Sequence, residues 1–369
     1  MSIFRLLPFV LGLGALLTLV PPASAGLSGV PAPQALIYGG YLEPADFSAQ
    51  GTASVSPGLI TLTDKSQDGA AGSAFLLQRV TTQRFVAGLK FRIDPGAGFG
   101  ETSGDGFTFL IAKSPDALGT SGTGMGLDTT ESGGFAVEFD TWKNSDFGDP
   151  DGNHVALVLN GNIRETVGSP APVAQPFDDG QSHYVTIAYE ALPEGGHVIV
   201  VMDGQLCLDV TDPAIPAPDG YFGFSAGTGA ATATHMIEGF ALEADAPPST
   251  PGARVRATGK LRGPVGFQGP LALDVSSNSR RNVKGRIELN AKSDPFGRKY
   301  IHHISSLVVT GRNQATIYGI GPGRRLVRVD VVDGRDRETV RLVEFSLGPY
   351  KQGTLPRGRV SISVRRDNR

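Results

Sequence analysis

The amino-acid sequence predicts an all-β protein made of two sandwich-like units. Three observations carry that prediction. Glycine (50) and proline (26) are plentiful among the 369 residues, apolar positions recur with period two, and long helix-period apolar runs are absent. Such a chain makes many short strands joined by turns.

Residues 1–25 read as an export signal. Arg5 supplies a small positive start, and Leu6 to Val20 is an apolar run too short and too poorly flanked to span a bilayer. Ala23-Ser24-Ala25 then offers a small-x-small cleavage site before Gly26. No cysteine follows the run to take a lipid anchor, and no later segment is apolar enough to cross a membrane. The mature chain is therefore expected to be soluble and secreted, periplasmic or extracellular. Residues 26–34, mostly small residues and proline, form a flexible lead-in.

Strand patterns fill residues 35–245. Phe85, Ala87, Leu89, Phe91 and Ile93 alternate with Val86, Gly88, Lys90 and Arg92, and Val185, Ile187 and Tyr189 behave alike. Between the runs His197–Met202 and Gln205–Val210, Asp203-Gly204 tolerates the positive φ angles of a type I′ turn, which predicts a hairpin. Cys207 is the only cysteine, so no intramolecular disulfide forms; flanked by Leu206 and Leu208 it reads as a buried, inert thiol.

Residues 246–252, Ala-Pro-Pro-Ser-Thr-Pro-Gly, make a short stiff linker. The charge changes sign there. From Pro251 onward there are 24 Lys+Arg against 9 Asp+Glu, leaving 9 against 27 before it, balances of +15 and −18. Halves of opposite charge argue for two domains. Residues 253–369 are again β, with Val327, Val329 and Val331 alternating before Asp333-Gly334 and Val360, Ile362 and Val364 in a last strand. The arginines among these alternations read as a solvated face, and no catalytic constellation accompanies them.

The chemistry concentrates between Phe135 and His154. Glu138 and Asp140 are two apart on a strand, so both carboxylates leave one face, about 7 Å apart at the backbone. A loop with Asn144, Asp146, Asp149 and Asp151 follows, and His154 opens the apolar run Val155–Leu159. So many acids repel one another unless a divalent cation compensates them. Oxygen donors such as Asp140, Asn144, Asp149 and a main-chain carbonyl suit Ca²⁺. Glu138, Asp140, Asp149 and His154 together suit a transition ion such as Mn²⁺. The alternative is a solvated acidic turn with a histidine at the core's edge.

This passage resembles the metal-binding segment of legume-type (L-type) lectins, in which glutamate-x-aspartate-x-aromatic is followed by asparagine, aspartate and a histidine. Glu138, Asp140, Trp142, Asn144, Asp149, Pro150 and His154 match without a gap. Phe47–Val55 looks like an early strand of that family, Gly104–Ala112 like the strand whose aspartate receives two sugar hydroxyls, and Tyr221–Gly229 with Thr234-His235 like its last binding loop and closing strand. The resemblance covers residues 35–245 and implies a concanavalin A-like jelly-roll sandwich that binds carbohydrate. It implies that Glu138, Asp140, Asp149 and His154 hold a manganese-type ion, and that Asp140, Asn144, Asp149 and the Trp142 carbonyl hold calcium.

It further implies how a glycan would be met. Asp105 accepts charge-assisted hydrogen bonds from two hydroxyls. Asn144 donates from its amide, and Trp142, the only tryptophan, offers its ring to the apolar sugar face. Gly122, with Gly124 as alternative, lets a backbone N–H approach the sugar. The short Gly227–Thr234 loop predicts an open site, and a cis Gly104-Asp105 bond is implied. His235 falls at a structural position, while His183, His197 and the His302-His303 pair have no acidic partner nearby in sequence and read as strand-surface residues. Relatives of this kind often pair through the flatter sheet, which implies a homodimer.

Two rival functions use the same architecture. A retaining glycoside hydrolase needs two catalytic carboxyl groups about 5–5.5 Å apart, and the Glu-x-Asp-x-Glu form of that site has tryptophan here at its third position, Trp142. A structural adhesion or matrix module would keep the metals only to stiffen the loop. The C-terminal unit loosely resembles an accessory β-domain of secreted bacterial proteins, and its basic excess suggests contact with an anionic envelope or matrix polymer.

Overall fold

The computed structural model describes residues 34–96, 103–263, 268–290, 298–301, 303–321, 325–335, 337–343 and 351–365. The export signal and nearly all of the lead-in lie outside these residues, as does His302.

Two antiparallel sheets stack to form the first sandwich. The front sheet has seven strands in the order Thr166–Pro172, His154–Leu159, Ser132–Asp140, Gly106–Ala112, Asp219–Gly227, Ala71–Thr81, Phe47–Gly51. The back sheet has eight: Gln205–Asp212, Gly195–Met202, Ser182–Leu192, Arg84–Pro95, Ala233–Asp245, Leu59–Thr63 and Ser54–Ser56, with Gln34–Gly40 also pairing Ala233–Asp245. The period-two pattern sets which side chains meet between them. In Arg84–Pro95, Phe85, Ala87, Leu89, Phe91 and Ile93 are at most 1% exposed, facing Phe107, Phe109, Phe135 and Phe139 of the front sheet. Phe107 and Phe139, on adjacent strands, stack with centroids 4.7 Å apart, a geometry that adds to the area they bury.

The Asp203-Gly204 turn has φ of 49° and 82° and joins Met202 to its partner Gln205 as the dipeptide predicts. The Phe47–Val55 segment is not one strand. It breaks at Gly51 (φ 62°), where a Cβ would lie 2.2 Å from the Ala71 carbonyl oxygen, and the chain passes from the front sheet to the back. Cys207 is half-buried rather than buried, with its thiol pushed up by burial. His183 and His197 do have acidic partners. His183 is clamped between Asp203 (2.7 Å) and Asp179 (3.1 Å), and His197 contacts Asp209 at 2.8 Å, pairings created by strand register and turns.

Beyond the linker, two five-stranded sheets form a second sandwich. The outer sheet runs Arg298–Ile301, Val283–Asn290, Gly269–Ser277, Ala253–Leu261, Val360–Val364; the inner runs His303–Gly311, Gln314–Ile320, Leu326–Val332, Glu338–Val343, Lys351–Leu355. Val255, Leu273, Val275, Ile317, Val329 and Val331 fill the space between them.

The inner sheet's other face packs on the first sandwich, and local sequence does not foretell this. Arg328 and Arg341 are not a solvated face. Arg328 donates to Asp330 (2.8 Å), to the Ile37 carbonyl (2.7 Å) and to Gln78 (3.1 Å), and Gln78 in turn donates to the Tyr318 hydroxyl. Arg341 forks onto Asp46 at 3.2 Å through both nitrogens and also reaches Asp330 at 3.0 Å. Satisfied charges of this kind survive burial because each has a partner.

Candidate functional site

One row across four strands assembles the site. Gly227 is opposite Gly106, Gly106 opposite Asp140, and Asp140 opposite His154. Residues far apart in sequence therefore share one end of the front sheet. Phe135, Val137 and Phe139 point into the sandwich core, so Glu138 and Asp140 leave the opposite face. Loops cover them there. Glu138 is 3%, Asp140 4% and His154 0% exposed.

The donor atoms of Glu138, Asp140 and His154 lie within 4.8 Å of one another. His154 Nε2 stands 3.3 Å from Glu138 Oε1 and 3.6 Å from Asp149 Oδ1. Its Nδ1 lies 3.1 Å from the Asp151 carbonyl oxygen, which can only accept. Nδ1 therefore carries a proton, which leaves Nε2 as the nitrogen that a cation would bind once it is deprotonated. Neither Nε2 nor Glu138 Oε2 has a well-formed hydrogen bond. Two buried, unsatisfied donor atoms facing one point fit a divalent cation, which would compensate both. Burial pushes the carboxyls of Glu138 and Asp140 upward, Asp140 well above the usual range with Glu138 adding to the effect. Burial lowers His154, yet the Glu138 carboxylate outweighs it and the net shift is upward.

The loop that follows is tied by the same acids. Asp140 Oδ1 accepts the Trp142 N–H and Asp149 Oδ2 accepts the Asn144 N–H, both at 2.6 Å. Trp142 and Asn144 are half-buried and Asp149 is buried, whereas Asp146 is exposed and apart from the cluster.

Asp105 sits on the neighbouring strand end. Its carbonyl accepts from Thr141 (2.9 Å), and its N–H donates to Gly227 (3.1 Å), binding it to both flanking strands. The Gly104-Asp105 peptide is cis. A Cβ on Gly104 would lie 3.6 Å from the Trp142 ring, so the tryptophan packs against the residue that precedes this aspartate. Asp105 is 6% exposed, its Oδ2 has no partner, and burial raises its pKa to about 6 against the opposing pull of the Gly229 N–H.

Gly122 is brought to the same place. Its φ is 62°, and a Cβ there would lie 3.9 Å from Asp105 Oδ2. Its N–H donates to the Thr228 carbonyl at 3.0 Å. Gly124 commits its own N–H to Ser121. Sequence reasoning overlooked Gly229 beneath Asp105 and the Asp151 carbonyl behind His154. The Gly227-Thr-Gly229 pattern was visible, but its nearness to residue 105 arises only from strand order. His235 is buried against Thr63 (2.7 Å), and desolvation lowers its pKa to about 3, as befits a structural histidine.

A sequence profile of the legume lectin domain matches residues 35–255, more than half of the chain. The chain belongs to the legume lectin domain family. The lectin fold is all-β, a concanavalin A-like jelly roll, and the family comprises non-catalytic carbohydrate-binding domains, so this domain is a lectin and not an enzyme. An L-type lectin-domain containing receptor kinase IV.2 of Arabidopsis thaliana is 30% identical over 254 residues, 57% of this chain and 36% of the kinase. A lectin of Leucomphalos mildbraedii is 30% identical over 172 residues, 42% of this chain and 65% of that protein. The chain thus matches about a third of the length of the receptor kinase. Among solved structures, basic winged bean lectin with Tn-antigen is 22% identical and covers 58% of this chain and 99% of its own, with a TM-score of 0.48. No helix among the described residues is long and apolar enough to cross a membrane.

Proposed function

We propose that the protein is a secreted, metal-dependent lectin that receives a glycan at Asp105, Trp142 and Asn144. The observation that carries this reading is the buried, unpartnered Oδ2 of Asp105. A carboxylate kept ionised in such a place lacks acceptor satisfaction that two sugar hydroxyls supply, through charge-assisted hydrogen bonds. Trp142 offers its face to the apolar side of the ring, and Gly122 leaves room for it.

Glu138, Asp140, Asp149 and His154 would hold a manganese-type ion, and Asp140, Asn144, Asp149 and the Trp142 carbonyl would hold Ca²⁺. Bound ions would supply positive charge that offsets the acids and stiffens the loop. The chain's own residues then do the binding, with Asn144 and Trp142 ordered in advance so that less entropy is lost when sugar arrives. We further read residues 35–245 as the lectin domain and 253–369 as a basic accessory domain that contacts an anionic polymer, with export directed by residues 1–25 and pairing of lectin domains as a homodimer.

A glycan array probed in Ca²⁺ and Mn²⁺, and again in a chelator, tests the proposal. Binding that disappears with chelation supports it. Full binding in the chelator overturns the metal dependence, and no binding in either condition favours a structural adhesion module.

A further inference from the structure

We infer that the exposed face of the outer C-terminal sheet is a docking surface for a linear polysaccharide bearing carboxylate or sulfate groups. The inference rests on the reading of the basic domain as a contact for an anionic polymer, and it assigns the face and the polymer class.

Strand alternation places the charges. In Ala253–Leu261, Ala253, Val255, Ala257 and Leu261 are buried, so Arg254, Arg256 and Lys260 share the other face. In Val283–Asn290, Ile287 and Leu289 are buried, so Lys284 and Arg286 emerge with them. Register aligns these cations in rows: Arg254 with Ser276 and Lys284, Arg256 with Asp274 and Arg286. The turn after Ser277 adds exposed Arg280 and Arg281. Seven cations stand against two anions, Asp274 and Glu288, a formal balance of +5. Asp274 bonds Arg254 at 2.8 Å and Arg256 at 3.4 Å, and Glu288 lies 3.8 Å from Arg286. These side chains are 43% to 72% exposed, so the pairs are weak and exchange readily for an external anion.

The fold turns this face outward. The inner sheet commits its own arginines, Arg328 and Arg341, to the lectin domain. The outer sheet lies on the opposite side of the second sandwich, so its charged face has no such partner among the described residues. Cations there are about 10 Å apart across the rows, where Ser276 or Asp274 stands between two of them, and about 7 Å apart along a strand. Between the cations are Ser276, Ala272, Thr258, Ser361 and Ser363, which leave the surface level and polar. Sequence-independent nucleic-acid sites instead combine a basic groove with aromatic platforms, and a sheet face offers no groove.

The test uses the full chain and two probes, polygalacturonate and single-stranded poly(dT), in about 0.1 M salt, where charges are screened beyond about 10 Å. The variant R256E/K284E/R286E reverses charge on the face. The variant R325E/R335E/R357E makes the same charge change at exposed positions off it. Polygalacturonate binding should weaken about tenfold or more in the first, from three lost contacts of the exposed kind, and by less than about threefold in the second. Circular dichroism checks folding, and R256Q/K284Q/R286Q replaces the reversal if that protein does not fold. Equal losses in both variants, or a larger loss in the second, overturn the assigned face. Wild-type protein that binds neither probe overturns the anionic-polymer reading itself, and tighter binding of poly(dT) than of polygalacturonate makes the occupant a nucleic acid.

Discussion

Asp105→Asn, studied in the presence of a chelator, isolates the free energy of holding a binding carboxylate in a dry site. Burial raises the Asp105 pKa from 3.8 to about 6. Each pKa unit corresponds to about 1.4 kcal/mol, so ionised Asp105 costs the metal-free fold about 3 kcal/mol at neutral pH. The direction follows from proton counts. Between these two pKa values the folded chain binds a proton that the unfolded chain has released, so stability falls as pH rises through the window. Below it the cost is absent; above pH 6 it is complete. Asparagine cannot titrate. The stability difference between wild type and variant should therefore shift by about 3 kcal/mol between about pH 4 and about pH 7.5, in favour of the variant at the higher pH, or about 6–12 °C in Tm for a domain of this size. Other carboxylates titrate alike in both proteins and cancel. Scanning calorimetry at the two pH values reads the result. A difference that stays flat with pH would show that Asp105 behaves as a solvated carboxylate, and the account of a poised acceptor would fail. With Ca²⁺ and Mn²⁺ restored at about pH 7.5, glycan binding should be absent in the variant and present in wild type.

The remaining expectations concern the loop and the domain contact. His154→Ala should weaken Mn²⁺ binding at least about a hundredfold by isothermal titration, since even losing an outer partner of a metal ligand costs about 10–100-fold; unchanged affinity would remove His154 from the ligand set. Trp142→Ala should cost glycan affinity about 2 kcal/mol, the size of a central aromatic anchor, with fold retained by circular dichroism; because Trp142 is the only tryptophan, wild-type fluorescence should also change on adding sugar. Glycan binding should fall in acid as Asp105 takes up a proton, at a pH below the metal-free value of about 6 because neighbouring cations favour the carboxylate, and binding undiminished at about pH 3 would contradict the ionised acceptor. Arg328→Ala should destabilise by about 1.5–3 kcal/mol, because it removes charged hydrogen bonds to Asp330, Gln78 and the Ile37 carbonyl while Arg341 still compensates Asp330, and calorimetry should then resolve separate unfolding transitions for the two sandwiches.

Local patterns were legible in the sequence because each is written in neighbouring residues. The alternation of Phe85 to Ile93 set both the strand and its buried face, and Asp203-Gly204 set the hairpin. Glu138, Asp140 and His154 were recognisable because strand, loop and next strand are contiguous, so the hairpin alone brings them together. What depends on strand order was not legible. Gly229 reaches Asp105 only because Asp219–Gly227 is inserted beside Gly106–Ala112 from more than a hundred residues away. The hydrogen bond from the Gly122 N–H to the Thr228 carbonyl was hidden for the same reason, since Thr228 follows that returning strand. Arg328 and Arg341 alternate as solvated residues do, and nothing local reveals that Ile37, Asp46 and Gln78 wait across the domain contact.

Burial also explains why an acidic hairpin so similar in pattern to a hydrolase site is not built to cut a sugar. A catalytic nucleophile must touch the anomeric carbon, and its acid partner must stand about 5–5.5 Å away with a proton to give. Glu138 is 3% exposed and directed at His154, so a sugar ring cannot reach it without displacing the loop. The position that would supply the acid is Trp142, whose ring lies against Gly104 and has no proton of suitable acidity. Asp140 and Asp149 accept the Trp142 and Asn144 N–H groups and are not free to act as a partner to Asp105. An isolated acceptor can hold hydroxyls but cannot complete a proton relay. On the reading proposed above, the arrangement serves recognition, and the repulsion of Asp140 by Glu138 and Asp105 at one strand end is part of the cost of holding an acceptor there.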